Sequence, residues 1–119
     1  MINAAIIGSG IGIKHLEAID NYKNSKVLFI CEKNKLKHKF LKKKYPKIEV
    51  IDDENKIFKN KRINLVSIAS YDEDHFKQVK KCFDYKKNFV IEKPFCLSIK
   101  ELKKIKELSL KNKSILFTS

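Results

Sequence analysis

All three glycines of this chain fall within five consecutive residues near the N-terminus. The segment reads Gly8-Ser9-Gly10-Ile11-Gly12, follows the apolar run 4–7 and precedes an amphipathic stretch. Glycine lets the backbone turn tightly without a β-carbon and lets an anionic group approach closely. A helix that starts after such a turn offers unpaired N–H groups and a positive dipole end. This order predicts a strand, a phosphate-binding turn and a helix, the first part of a nucleotide-binding βαβ unit.

Strand-like apolar runs alternate with helical patterns along the whole chain. The predicted strands are 4–8, 26–31, 48–51, 64–69, 88–92 and 114–118. The predicted helices are 12–22, 34–45, 53–58, 72–86 and 98–112. Several strands are apolar almost throughout, as expected when helices cover both faces of a parallel sheet. The alternation predicts one α/β domain with a doubly wound parallel sheet of about six strands, a Rossmann-type fold.

The last predicted helix has a start signal and a predicted buried stripe. Ser98 and Glu101 have the spacing of a capping box, in which each side chain satisfies an otherwise unpaired backbone N–H. Leu102, Ile105 and Leu108 recur at helical spacing and are expected to face the core.

The composition argues against several function classes. The formal net charge is +13, but Arg62 is the only arginine among 27 basic residues. Arginine provides the bidentate fork that reads phosphates and bases, and no aromatic residues interleave with the lysines. We therefore interpret the charge as a solvated lysine coat and expect no nucleic-acid partner.

No apolar run approaches the roughly 20 residues that span a bilayer, so we expect a cytoplasmic protein with no membrane contact.

The cysteines and histidines show no metal-binding spacing. Cys31, Cys82 and Cys96 are odd in number and widely separated, which is typical of reduced thiols. The three histidines are equally scattered, so we expect no metal site.

Polar residues follow the second predicted strand, where a parallel sheet binds its ligands. Glu32 lies close to the spacing after Gly8 at which an acidic residue meets the adenosine ribose. A carboxylate there accepts hydrogen bonds from the ribose hydroxyls and repels a 2′-phosphate, which favours NAD over NADP. Lys33 and Lys37 leave NADP possible, because either could neutralise that phosphate.

Two further strand ends carry candidate residues. The fourth strand leads into Ala69, Ser70 and Tyr71 and then His75, which by themselves predict no more than helix capping. The fifth strand leads into Glu92-Lys93-Pro94, a charge pair at the edge where a ligand is expected. Proline restricts the residue before it to extended backbone, and a lysine there can stabilise a developing alkoxide.

Taken in order, these segments resemble the glucose-fructose oxidoreductase / inositol dehydrogenase / rhizopine-catabolism (Gfo/Idh/MocA) family over the whole chain. The matching motifs are the glycine loop that runs on to His15 and Leu16, Cys31-Glu32-Lys33, the segment from Ser70 to His75, and Glu92-Lys93-Pro94. The resemblance implies the NAD(P)-binding domain of an oxidoreductase that acts on a secondary alcohol of a sugar, a cyclitol or a sugar-nucleotide.

The resemblance also implies roles for individual residues. The glycine loop would hold the pyrophosphate, Glu32 the ribose, and Lys93 would sit between nicotinamide and substrate with Glu92 ordering it. The cofactor-binding candidates are Gly8, Ser9, Gly10, Ile11, Gly12, Glu32, Lys33, Ala69, Ser70, Tyr71, His75, Glu92, Lys93 and Pro94, and Lys93 is also the catalytic candidate.

The chain departs from the family pattern in two places. The family favours a small residue where Ile13 stands, so either a residue is missing or Gly12 does the packing of the third glycine. Family members also continue into an α/β domain that forms the substrate pocket, supplies acid–base partners and supports oligomerisation. We expect that domain to be absent here, and residues 1–119 to bind cofactor without turning over a sugar-like substrate.

Two other functions stay open. The loop also fits Gly-x-Gly-x-Gly of S-adenosylmethionine methyltransferases, although those enzymes usually have a carboxylate where this chain has Ile6 and give no reason for Glu92-Lys93-Pro94. A free-standing module that senses NAD without catalysis is the second alternative.

Overall fold

The computed structural model describes residues 1–112 and the backbone of residues 116–118. Six parallel strands form one sheet in the order β3-β2-β1-β4-β5-β6. The strands are β1 (Ile2–Ile7), β2 (Ser25–Cys31), β3 (Glu49–Ile51), β4 (Leu65–Ile68), β5 (Asn88–Ile91) and β6 (Leu116–Thr118). All six predicted strands are present within about two residues, and the start of the sixth prediction lies outside the described residues.

Within the described residues, five α-helices connect the strands. They are α1 (Gly12–Asp20), α2 (His38–Lys44), α3 (Asn55–Phe58), α4 (His75–Asp84) and α5 (Ile99–Lys111). The predictions for α2 and α4 began too early, because each of these helices is preceded by a separate 3₁₀ turn, Lys35–Lys37 and Asp72–Asp74. Asn34 caps the first turn by accepting a hydrogen bond from the N–H of Leu36 at 3.1 Å.

Alternate residues of β1 face opposite sides of the sheet. Ala4 and Ile6 pack with Leu16 of α1 and Leu41 of α2. Ala5 and Ile7 belong to the second core cluster, which includes buried residues of α3, α4 and α5. Because side chains alternate along a strand, covering both faces favours apolar residues at successive positions. The doubly wound fold predicted from this pattern is confirmed.

The turn between β1 and α1 lies against the end of β4. Gly8 has φ +97°, and a β-carbon at Gly8 would lie 2.4 Å from the carbonyl oxygen of Ala69. A β-carbon at Gly12 would lie 2.8 Å from Cγ2 of Ile6 and 3.3 Å from Cβ of Ala69. Gly12 therefore does the close helix–sheet packing that the family assigns to its third glycine.

Helix α5 is capped as predicted but less buried than predicted. Ser98 accepts a hydrogen bond from the N–H of Glu101 at 3.1 Å, while the Glu101 carboxylate accepts from the N–H of Leu97 at 2.9 Å. Ile105 is buried and Leu108 packs partly against the core. The prediction for Leu102 was wrong: its side chain is 44% exposed, because α5 touches the core along a narrower stripe than its sequence suggests.

Replacement of Gly8 by alanine should destabilise the fold by about 3 kcal/mol or more, because it combines a left-handed backbone with a steric clash against backbone atoms. The matched control is Gly10→Ala, since no atom lies within 4 Å of a β-carbon there. That change should alter stability by only about 0.5 kcal/mol. Urea denaturation of both variants measures the difference, and equal stabilities would contradict the steric argument.

Candidate functional site

The candidate residues leave the sheet at the carboxyl ends of four neighbouring strands, β2, β1, β4 and β5. The chain passes outward from β1 to β2 and β3, then returns to the other side of β1 to form β4. In sheets of this kind, a crevice opens where the strand order reverses, above the carboxyl ends. The residues singled out from the sequence therefore share the edge of the sheet at which folds of this kind bind their ligands.

A cavity of about 250 Å³ lies in this crevice. It is lined by Ile7, Gly8, Ser9, Gly10, Cys31, Glu32, Lys33, Lys37, Ala69, Ser70, Tyr71 and Asp74. Eight of the predicted cofactor residues are in this lining. The remaining predicted residues, Ile11, Gly12, His75, Glu92, Lys93 and Pro94, lie outside it.

The glycine loop places backbone N–H donors at the N-terminus of α1. Among the described residues, no group accepts a hydrogen bond from the N–H of Gly10 or Ile11. Gly10 is exposed, and the space beside its α-carbon is open. Free N–H groups, an open approach and the positive end of a helix dipole together favour an anion such as a phosphate.

Glu32 is held over the glycine loop by hydrogen bonds to both carboxylate oxygens. Oε1 accepts a hydrogen bond from the hydroxyl of Ser9 and another, at 3.2 Å, from the backbone N–H of Ser9. Oε2 accepts a hydrogen bond from the backbone N–H of Asn34 at 2.9 Å. Burial alone would raise the pKa of Glu32, but these hydrogen bonds and the nearby charge of Lys37 outweigh it and lower the pKa below its ordinary value. Glu32 is therefore an ionised, oriented hydrogen-bond acceptor.

An ion pair crosses from the β2 loop to the segment after β4. The ammonium of Lys33 lies 3.2 Å from Oδ2 of Asp74, and both residues line the cavity. Burial would lower the pKa of Lys33, but the hydrogen bond and charge of Asp74 raise it. No local pattern in the sequence marks Asp74, and only its position in the fold shows that it reaches Lys33.

His75 is buried and contacts two of the loops that form the edge of the site. The side chain is 1% exposed, and its two ring nitrogens lie 2.7 Å from the carbonyl oxygen of Pro94 and 3.0 Å from that of Ser70. The ring thus ties the loop after β4 to the loop after β5. Ser70 is further held by its hydroxyl, which donates to Oε1 of the buried Gln78 at 2.5 Å.

The Glu92-Lys93-Pro94 segment is held by a residue that the sequence analysis gave no role. Nε2 of His15 lies 2.6 Å from Oε1 of Glu92, and Nδ1 lies 2.5 Å from Oγ of Ser67. Ser67 is fully buried, a polar residue inside an apolar strand, and that was the signal available in the sequence. Lys93 is exposed, and its peptide bond to Pro94 is cis.

An extended dinucleotide fits these residues. Open N–H groups for its phosphates, an ionised carboxylate for its ribose and a partly apolar cavity lie along one edge of the sheet.

Within residues 1–112 no group of three or more His, Cys, Asp or Glu side chains is arranged to hold a metal ion. No helix in the described part of the chain has the length and apolar character needed to cross a membrane.

Replacement of Glu32 by glutamine should remove a pH-dependent part of the stability. Because folding lowers the pKa of Glu32, its contribution is complete above its ordinary pKa of 4.5 and is lost as the pH falls through the lower folded value. The free energy of unfolding of wild type should exceed that of Glu32→Gln by about 1 kcal/mol at pH 7, and the gap should be smaller at pH 3, which lies below the ordinary pKa. Urea denaturation across this range measures it, with the exposed Glu17→Gln as control. A gap of equal size at both pH values would contradict the assignment.

The chain matches, over residues 2–119, the Gfo/Idh/MocA family described as an oxidoreductase family with an NAD-binding Rossmann fold. No curated protein matches it in sequence. Among solved structures, it superposes with TM-score 0.91 at 24% identity on a probable dehydrogenase from Thermotoga maritima, covering 99% of this chain and 36% of that one.

Two further structures are similar in fold. An apo scyllo-inositol dehydrogenase from Lactobacillus casei has a TM-score of 0.89 at 20% identity, with 100% of this chain and 36% of that one covered. An oxidoreductase from Agrobacterium radiobacter, in complex with NAD⁺, L-tartaric acid and magnesium, has a TM-score of 0.88 at 19% identity, with 98% and 34% covered. The chain thus spans about a third of the length of these proteins. With its fold and its glycine loop, it belongs to the Gfo/Idh/MocA oxidoreductase family and is an NAD-binding Rossmann domain.

Proposed function

We propose that this domain is the cofactor-binding half of an NAD(P)-dependent oxidoreductase that acts on a secondary alcohol of a sugar, a cyclitol or a sugar-nucleotide. The observation that carries the proposal is the shared edge of the sheet. The glycine loop, the ionised Glu32 and the exposed Lys93 all follow the carboxyl ends of neighbouring strands. The fold neighbour from Lactobacillus casei, a scyllo-inositol dehydrogenase, is consistent with a cyclitol or sugar substrate.

The chain's residues would bind and orient NAD, which supplies the hydride-accepting or hydride-donating ring when bound. The N–H groups of Gly10 and Ile11 would donate to the pyrophosphate at the N-terminus of α1. Both oxygens of Glu32 would accept from the ribose hydroxyls of the adenosine. Ala69, Ser70 and Tyr71 would form the opposite wall of the crevice.

The charges around Glu32 favour NAD over NADP. A 2′-phosphate would meet the ionised carboxylate of Glu32 at the ribose position. The two lysines that could neutralise that phosphate already face carboxylates. Lys33 is paired with Asp74, and the ammonium of Lys37 lies 3.9 Å from Glu32 Oε1. A 2′-phosphate would therefore compete with these carboxylates for the two lysines.

Lys93 is the candidate catalytic residue of this chain. Its ammonium extends from the end of β5, where the next residue, Pro94, limits the backbone. A positive charge beside the reacting carbinol would lower the pKa of the hydroxyl and stabilise the developing alkoxide. We propose that the remaining acid–base groups, the substrate pocket and a homo-oligomer interface belong to the rest of a cytoplasmic enzyme, of which this domain is the cofactor half.

Cofactor binding can be tested on the chain directly. NADH should bind more tightly than NADPH, and S-adenosylmethionine should give no protection against thermal unfolding. Glu32→Ala should weaken NADH binding by about tenfold and reduce the discrimination against NADPH, because it removes two acceptors and the repelling charge. Isothermal titration calorimetry measures the affinities of the three ligands and thermal unfolding measures the protection that each gives, with the exposed Glu49→Ala as control. Tight protection by S-adenosylmethionine, or unchanged affinities after Glu32→Ala, would contradict the proposal.

The role of Lys93 can be tested in the enzyme that carries this domain. Lys93→Ala should lower kcat by about a hundredfold or more while the dissociation constant of NADH changes by no more than a few-fold, because the charge acts on the transition state. Steady-state turnover and fluorescence titration with NADH separate these effects. Lys100→Ala, which removes another exposed lysine, serves as control. Unchanged turnover would remove Lys93 from the catalytic residues.

A further inference from the structure

His15 connects three elements of the fold through its ring. It belongs to α1, the helix that begins directly after the glycine loop. Nδ1 lies 2.5 Å from the hydroxyl of Ser67 in the middle of β4, and Nε2 lies 2.6 Å from the carboxylate of Glu92 just after β5. The side chains of His15 and Glu92 are 15% and 21% exposed, so the pair is mostly shielded from water.

The hydrogen bonds of this ring are complementary. A carboxylate only accepts, so Nε2 carries the proton and donates to Glu92. Nδ1 of the neutral ring then accepts from the hydroxyl of Ser67, which donates. If the ring gains a second proton, Nδ1 donates to the same hydroxyl oxygen, because a hydroxyl can also accept. The carboxylate of Glu92 is therefore held in both protonation states of His15.

Lys93 lies between two anchored neighbours. On one side, the N–H of Glu92 donates to the carbonyl of Ile68 at 3.0 Å, and its carboxylate is held by His15. On the other side, the carbonyl of Pro94 lies 2.7 Å from the buried ring of His75. Lys93 itself is exposed. The backbone on each side of the lysine is thus fixed, while its side chain faces solvent.

We propose that His15 is a positioning residue for Lys93. By holding Glu92 it sets the backbone from which the lysine side chain extends, and it does so from the helix whose N-terminus faces the pyrophosphate site. The positions of Lys93 and of the glycine loop then both depend on α1. The catalytic meaning of this positioning rests on the function proposed above, but the positioning itself is a property of the chain without cofactor.

The effect of His15 on Lys93 can be measured by NMR on the ¹⁵N-labelled chain in the absence of cofactor. In His15→Ala, the amide of Glu92 should exchange with solvent about tenfold faster, and the amide of Lys93 should gain fast motion in its ¹⁵N relaxation. His15→Gln keeps a donor for the carboxylate and should restore most of the protection. The adjacent exposed Lys14→Ala, on the same helix, is the matched control and should leave both amides unchanged.

Two further measurements separate positioning from a general loss of stability. The long-range ¹⁵N spectrum of wild type should show the Nε2–H form of the His15 ring, and Glu92→Ala should change that signature. In a double-variant cycle, His15→Ala should have little further effect on Lys93 once Glu92 is alanine, because the action passes through the carboxylate. Glu92→Ala gives the same test from the other partner if His15→Ala does not fold.

The proposal is overturned if His15→Ala speeds exchange equally at Glu92 and at the amides of β1 and β2, or if its effect on Lys93 persists undiminished in the Glu92→Ala background. NADH titration of the same samples gives a separate result. Failure of the wild-type chain to bind NADH would refute the proposed function and leave the measured coupling between His15 and Lys93 intact. Normal binding without that coupling would refute only the role of His15.

Discussion

The contact between the β1–α1 turn and the end of β4 is the constraint on which the site depends. A β-carbon at Gly8 would lie 2.4 Å from the carbonyl oxygen of Ala69, and one at Gly12 would lie 2.8 Å from Cγ2 of Ile6 and 3.3 Å from Cβ of Ala69. This approach seats the first turn of α1 directly on β1 and β4. As a result, the glycine loop that leads into α1 lines the crevice, and the ring of His15, one turn further, reaches both Ser67 and Glu92.

The charged side chains that organise this edge of the sheet are opposite in sign to the net charge of the whole chain. The protein carries a formal net charge of +13, yet the side chains that organise the site are acidic. Glu32, Asp74 and Glu92 each have a partner that orients them: the Ser9 hydroxyl, Lys33 and His15. Because these partners are short-range and directional, they position groups in a way that the diffuse lysine coat cannot.

Much of the fold follows from patterns that are local in sequence. Strands buried on both faces need apolar residues at successive positions, and the alternation with helices leaves few topologies for the sheet. The errors lie where local pattern does not decide. Leu102 has the helical spacing expected of a core residue. Whether its side chain is buried depends on which elements pack against α5, and here it is exposed. The 3₁₀ turn before α2 is capped by the side chain of Asn34, whereas the turn before α4 has no side-chain cap.

The strand ends at which the candidate site lies could be located from local signals, because glycines in a tight turn, a carboxylate after β2 and a charge pair after β5 are each tied to the end of a predicted strand. Tertiary structure alone decided which side chains act together. His15 lies 52 positions from Ser67 and 77 from Glu92, and Lys33 lies 41 from Asp74. Such pairs form only when crossover connections bring distant segments to one edge of the sheet. A polar residue such as Ser67 inside an apolar strand indicates that a partner is needed, but the local sequence does not identify that partner.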